Sequence, residues 1–126
     1  MRIVAGFLAA GGLLLAHHGN VAYDTSKAIV LKGATVTKFV WANPHCVIMF
    51  DAKDDKGNVQ HWAGEAGSPS ALGPLGWNSR SVQPGDTISV YIYQSKTGNP
   101  VGRLNKIVLA DGSELKDSAL GYREEQ

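Results

Sequence analysis

Two adjacent histidines, His17 and His18, directly follow a short apolar segment at the start of the chain. If export removes that segment by a cut after Ala16, His17 becomes the new N-terminus. Its α-amine, its imidazole and the imidazole of His18 would then lie close together, and Cu²⁺ prefers such nitrogen-rich sets. The alternative interpretation is that both histidines are solvated on an extended arm. The junction therefore predicts copper binding, on condition that the cut falls after Ala16.

Three further candidate ligands lie in two strands that the sequence predicts to be neighbours. By strand alternation His45 and Met49 share one face, and together they offer the borderline and soft ligands that copper accepts. A hairpin folded about Lys56-Gly57 would bring His61 across from the His45–Met49 end, within about a register step or two. The alternatives are that Met49 fills the barrel and that His45 caps a turn. No motif of fixed metal-ligand spacing is present. The predicted metal ligands are His17, His18, His45, His61 and Met49.

The apolar segment has the form of a secretory signal. Arg2 precedes an uninterrupted apolar or small run over residues 3–16. Such a helix would span roughly 21 Å, against ~30 Å of bilayer hydrocarbon, so no stable transmembrane span is expected. A cut after Gly12 is the rival to a cut after Ala16, and it would remove the histidine amine from the site. A buried N-terminal helix is the structural alternative. The leader predicts a periplasmic or secreted protein.

The charge of the chain argues against nucleic-acid binding, and its cysteine content excludes an internal disulfide. Without Arg2, the chain from residue 17 has 11 Lys and Arg (12 less one) and 11 Asp and Glu, so its formal net charge is zero with neutral histidines. Nucleic-acid binding needs clustered cations, and none are clustered here. The single cysteine, Cys46, excludes an internal disulfide. It is expected to be buried, a metal ligand or a cross-linking site.

The pattern of β-branched and aromatic residues predicts strands separated by turns, with one short helix capped by Ser68 and begun by Pro69. Gly33 is expected to mark a bulge or bend in the first strand. The predicted strands cover residues 28–41, 45–52, 59–65, 87–93 and 101–109, and residues 113–126 form a short strand or helix followed by a charged tail.

Three strands, a helix and two strands are the order of an OB-like barrel. The predicted fold class is therefore all-β with one short helix, a small five-stranded OB-like Greek-key barrel. An immunoglobulin-like sandwich is the alternative, although it normally has seven strands. The predicted organisation is a leader over 1–16, an arm over 17–27, the barrel over 28–116 and a flexible C-terminal tail over 117–126.

Several motifs together resemble a family of small, exported bacterial proteins of unknown function. They are Ala16-His17-His18, Trp41-Ala42-Asn43-Pro44-His45, Gly67-Ser68-Pro69, Gly76-Trp77, Pro84-Gly85-Asp86 and Gly102-Arg103-Leu104. The resemblance covers nearly all of the chain beyond the leader. It implies a secreted or periplasmic β-barrel in which the His-His junction and the Asn-Pro-His turn recur. It implies no activity.

These observations favour a copper-binding protein of the periplasm without catalytic turnover. The alternative is an accessory or structural subunit of a larger envelope or membrane complex, with the barrel as its interaction module and the leader retained. A binder of small ligands or oligosaccharides on the open barrel face rests on fold analogy alone. The predicted partners are a metal ion, with copper as the cofactor, and an envelope protein. No enzyme motif is present.

Overall fold

Alternating apolar residues build every strand of the barrel, and their ends agree closely with the predicted ones. The computed structural model describes residues 23–117. Its strands are β1 (Ile29–Val40), β2 (Val47–Lys53), β3 (Val59–Glu65), β4 (Thr87–Gln94), β5 (Val101–Val108) and β6 (Glu114–Lys116). Between β3 and β4 lie the helix α1 (Pro69–Leu72) and a 3-10 helix (Gly73–Leu75). The predicted leader, both histidines of the junction and the charged tail beyond Asp117 lie outside the described residues.

The sheet closes on itself, as the predicted OB-like barrel requires. β1 pairs with both β2 and β4, β2 pairs with β3, and β4 pairs with β5, all antiparallel. The closing contact is a parallel pairing of β3 with β5, from Ala63 and Val101 to Glu65 and Arg103. The short β6 adds to the other half of β5. The predicted five-stranded barrel is confirmed, and no second sheet of a sandwich exists among residues 23–117.

Strand alternation separates the core from the outer face of β2 and β3. Ile48, Phe50 and Trp62 point inward and are buried, with Phe50 and Trp62 stacked at a centroid distance of 6.1 Å. The residues between them, including Met49 and His61, therefore face outward. β2 begins two residues later than predicted, although Cys46 still exchanges backbone hydrogen bonds with the chain beyond β3.

Two local predictions are confirmed. Gly33 has φ +65° and lies where the pairing of β1 with β4 shifts by one residue, which is the expected bulge. Ser68 caps α1 by accepting a hydrogen bond from the amide of Ala71 at 3.2 Å. Residues 23–117 contain no helix that is long and apolar enough to cross a membrane.

Packing of β5 against β4 depends on the small size of Gly102. A Cβ at this position would lie 2.5 Å from the carbonyl oxygen of Tyr93 and 2.6 Å from a side-chain carbon of Ile92. We expect Gly102→Ala to lower the free energy of unfolding by about 1–3 kcal/mol, because the added methyl group overpacks the contact of β5 with β4. Urea denaturation measures the change.

Gly73→Ala is the matched control for that substitution. Gly73 has helical φ and ψ of −52° and −49°, and a Cβ there would meet nothing within 4 Å. Its expected effect is neutral or stabilising by about 0.4–1 kcal/mol. Equal free energies of unfolding for Gly102→Ala and Gly73→Ala would contradict the close contact at Gly102.

Candidate functional site

Glu65, the last residue of β3, is the centre of a polar cluster on the outside of the barrel. Its Oε2 accepts a hydrogen bond from the hydroxyl of Tyr23 at 3.0 Å. Its Oε1 lies 3.4 Å from Nε2 of His45 and 3.5 Å from a terminal nitrogen of Arg103. Only 12% of the Glu65 side chain is exposed. The surrounding donor groups supply the partners that an enclosed carboxylate requires.

The turn before β2 places His45 against this carboxylate. The chain passes through a cis Asn43-Pro44 bond, and Cys46 then continues the ladder by donating to Gly67 and accepting from Ala66. Nδ1 of His45 lies 3.2 Å from the carbonyl oxygen of Ala66. A carbonyl only accepts, so Nδ1 carries the proton. In a neutral imidazole the lone pair is therefore on Nε2, which faces Glu65.

Arg103 connects Glu65 to the C-terminal end of the described chain. Its Nε donates to Oδ2 of Asp117 at 3.1 Å, and Oδ1 of Asp117 accepts from the amide of Gly67 at 2.9 Å. Both Arg103 and Asp117 are buried. Although the sequence assigns Asp117 to a flexible tail, these bonds anchor it to the barrel.

Tyr23 joins the N-terminal side of the chain to the same cluster. Its backbone forms a bridge with Ser95, and the amide of Asp24 donates to Gln94 at 2.9 Å. Burial, the nearby charge of Glu65 and the hydrogen bond to Glu65 raise the pKa of Tyr23 from 10.0 to about 12. All three causes favour the neutral phenol.

The contact of His45 with Glu65 is unfavourable when His45 is neutral. Nε2 of His45 and Oε1 of Glu65 would then be two acceptors 3.4 Å apart. Either a proton on His45 or a bound cation between the two atoms turns this contact into an attraction.

The structure separates the predicted ligands of the barrel from one another. His61 pairs with Asp51, and its Nδ1 lies 2.6 Å from the Asp51 carboxylate. Asp51 is two residues beyond Met49 but six residues from His45, or about 20 Å along the strand. Met49 is 40% exposed and four residues from His45, about 13 Å along an extended chain. The convergence of these residues on His45 is therefore not found. His17 and His18 lie outside the described residues.

Residues 23–117 contain no group of three or more His, Cys, Asp or Glu side chains arranged to hold a metal ion. His45 and Glu65 form a pair, which is half of a typical site. Cys46 is buried on the core face, and burial raises the pKa of its thiol. Next to Glu65, the described part of the chain therefore offers one imidazole and one carboxylate.

Sequence reasoning missed most of the cluster around Glu65. Tyr23 lies in the predicted arm over 17–27, whose residues show no helix or strand periodicity. Asp117 lies in the predicted tail over 117–126. The one usable signal is Arg103, a charged residue between Gly102 and Leu104 in the fifth strand, since a buried charge needs a partner. Its partners are 38 residues before it and 14 after it, so no local pattern identifies them.

We expect the ion pair of Arg103 and Asp117 to be important for folding. Asp117→Ala leaves a buried guanidinium without its main partner, and should lower the free energy of unfolding by about 3 kcal/mol or more. Asp55→Ala, at the exposed tip of the β2–β3 hairpin, is the control and should change it by less than about 0.5 kcal/mol. Equal midpoints in urea for the two variants would show that the pair contributes nothing.

The raised pKa of Tyr23 has a measurable consequence at alkaline pH. The unfolded chain releases this proton near pH 10 and the folded chain near pH 12, so the folded state binds more protons in between. Stability therefore falls as pH rises through that window. In the folded protein, Tyr23→Phe should leave the rise in absorbance at 295 nm between about pH 9.5 and 10.5 unchanged. In urea the same substitution should reduce that rise. A reduction in both states would contradict the assignment.

Comparison with known proteins identifies a family but no activity. Residues 6–105 match the profile of a family of unknown function, DUF6152. No curated protein matches the chain, and no solved structure matches it. The match covers more than half of the chain and spans Glu65, His45 and Arg103, so this protein belongs to the DUF6152 family.

Proposed function

We propose that this chain is an exported copper-binding protein of the periplasm, without catalytic turnover, in which His45 and the N-terminal His17 bind one Cu²⁺ ion. The observation that carries the proposal is the orientation of His45. Its Nδ1 faces the carbonyl oxygen of Ala66 at 3.2 Å. Metal-binding histidines commonly donate their second ring nitrogen to a carbonyl or a carboxylate, which directs the other nitrogen at the metal.

Glu65 supports the proposal from the other side. Its Oε1 lies 3.4 Å from Nε2 of His45. Nitrogen and oxygen ligands of one ion, at bond lengths of about 2.0–2.2 Å, lie roughly 3 Å apart. A small movement of either side chain therefore suffices for both to bind the same cation. The carboxylate of Glu65 and the Nε2 lone pair of a neutral His45 also favour a cation at this place.

The remaining ligands of the proposed site come from the N-terminal junction. After a cut at Ala16, His17 offers its amine and its imidazole, and His18 offers an alternative mode with the amine and a deprotonated amide. His17 is six residues before Tyr23, so the connecting chain reaches up to about 20 Å. Because Tyr23 already contacts Glu65, that length is sufficient to reach His45.

The chemistry of this set favours copper among the divalent metals. Three nitrogen donors with one carboxylate suit the tetragonal geometry of Cu²⁺, which also leads the Irving–Williams order. His61 and Met49 are not required by this arrangement, because the strand register places both away from His45. The proposed ligand set is thus smaller than the one predicted from sequence, and Glu65 is added to it.

Copper titration of the exported protein tests the proposal. We expect a 1:1 Cu²⁺ complex with nitrogen hyperfine structure in its EPR spectrum. His45→Ala and His17→Ala should each weaken binding by about 100-fold or more, since each removes a direct ligand, and Glu65→Gln by about 10-fold. Isothermal titration with a competing chelator measures the affinities.

His61→Ala is the matched control, because it removes an imidazole that takes no part in the proposed site. The His61 side chain is 84% exposed, whereas that of His45 is 35% exposed. It should leave the copper affinity unchanged. The idea is wrong if His17→Ala and His45→Ala both bind copper as the wild type does.

The intact mass of the exported protein, with and without copper, reports the cut site and the stoichiometry together. Retention of residues 1–16 without copper binding would favour the accessory subunit instead.

A further inference from the structure

We propose that the pair formed by His45 and Glu65 takes copper in its oxidised form, Cu²⁺, in preference to Cu⁺, and that Val47 is the residue that determines this preference. The proposal rests on the proposed function and names the oxidation state of the ion that the same site binds. The ligand types at the pair and the strand register around it, all within residues 23–117, carry the inference.

The two donor atoms of the pair are of the kinds that suit the oxidised ion. Nε2 of His45 is a nitrogen donor of borderline softness, and Oε1 of Glu65, 3.4 Å away, is a hard oxygen donor. Sets of nitrogen and oxygen ligands are typical of Cu²⁺, whereas Cu⁺ is bound by the soft sulfur of cysteine or methionine. A strong Cu⁺ site on this part of the barrel would therefore need a sulfur atom beside the pair.

Within residues 23–117 sulfur occurs only in Cys46 and Met49. Cys46 follows His45 in sequence, but its side chain is fully buried in the hydrophobic core. Its Sγ lies 4.0 Å from the carbonyl oxygen of Ala42. The thiol is thus on the inner side of the barrel wall, whereas the imidazole of His45 meets Glu65 on the outer side.

Met49 is on the outer face but on the wrong side of Glu65. The register pairs Val47 with Glu65 and Met49 with Ala63, so Met49 belongs to the next row of the sheet. The Glu65 carboxylate contacts His45, which lies two residues before Val47. Met49 lies two residues after Val47, in the opposite direction along β2. The pair and the thioether are therefore separated by the row that contains Val47.

Val47 is the residue from which a soft ligand could reach the pair. It lies directly opposite Glu65 on β3 and opposite Val40 on β1, so its side chain shares the outer face with the carboxylate. Side chains opposed in this way have their Cβ atoms about 4.5–5.5 Å apart. Valine offers only methyl groups at this place and is half-buried. Its side chain leaves the pair with nitrogen and oxygen donors alone.

Titrations of the exported protein with each copper ion test the preference. Cu²⁺ is titrated against a competing chelator in air, and Cu⁺ is titrated anaerobically against bicinchoninate. We expect the wild type to bind Cu²⁺ at least about 100-fold more tightly than Cu⁺, because an imidazole and a carboxylate suit the oxidised ion. Equal affinities, or tighter binding of Cu⁺, would overturn the preference.

Val47→Met tests the role of this position by adding a thioether beside the pair. It should raise the Cu⁺ affinity about tenfold or more and change the Cu²⁺ affinity by less than about threefold. Val47→Leu adds similar bulk without sulfur and should leave both affinities unchanged. Val59→Met places the same thioether at an exposed position opposite Lys53 and should do the same. If Val47→Met binds Cu⁺ no better than Val47→Leu, the role of Val47 is wrong.

Met49→Leu tests the native thioether, and it should leave the Cu⁺ affinity of the wild type unchanged. A loss of Cu⁺ binding in this variant would show that Met49 reaches the site, and it would overturn the inference. The titrations also separate this inference from the proposed function. A wild type that binds neither ion contradicts both, whereas one that binds Cu⁺ as tightly as Cu²⁺ contradicts only the preference.

Discussion

Parallel pairing of β3 with β5 is the contact on which the barrel and the site both depend. It closes the sheet over only three residue pairs, from Ala63 and Val101 to Glu65 and Arg103. At its centre Gly64 faces Gly102, whose other neighbour, the backbone of Tyr93 in β4, lies so close that no side chain fits at residue 102. The same short seam ends with Glu65 beside Arg103, because parallel strands carry equivalent residues side by side. The ion pair of the candidate site is thus a consequence of barrel closure.

A buried arginine is costly unless its donors are satisfied, and here two other segments of the chain satisfy it. Glu65 belongs to the end of β3, Arg103 to β5, and Asp117 to the chain after β6. Asp117 also accepts from the amide of Gly67, which lies just before α1. Such a network contributes less to stability than an apolar core of equal volume would, but each missing member leaves a charge unpaired. It therefore holds the two ends of the described chain in one arrangement relative to the barrel.

The fold was predictable from sequence because its determinants are local. The alternation of apolar and polar residues predicts the strands. Gly33 predicts the bulge, and Ser68 with Pro69 predicts where the helix begins. The order of these elements then predicts the OB-like topology. The site was less predictable, because its contacts join residues 14 to 50 positions apart. The turn before the second strand identifies His45 as a candidate, but no local pattern connects it with its partner Glu65, 20 residues further on. The strands of the predicted hairpin are correct. The observed register, however, places His61 opposite Asp51 rather than near His45.

The arrangement of the cluster also bears on how a metal site divided between an arm and a barrel would work. In the proposed complex the barrel contributes a rigid pair, since His45 is fixed by the carbonyl of Ala66 and Glu65 by Tyr23 and Arg103. The arm contributes its ligands through a tether of six residues, and such short tethers hold ligands at effective concentrations in the millimolar range. The rigidity of that pair does not depend on the arm, since every contact that fixes it lies within residues 23–117.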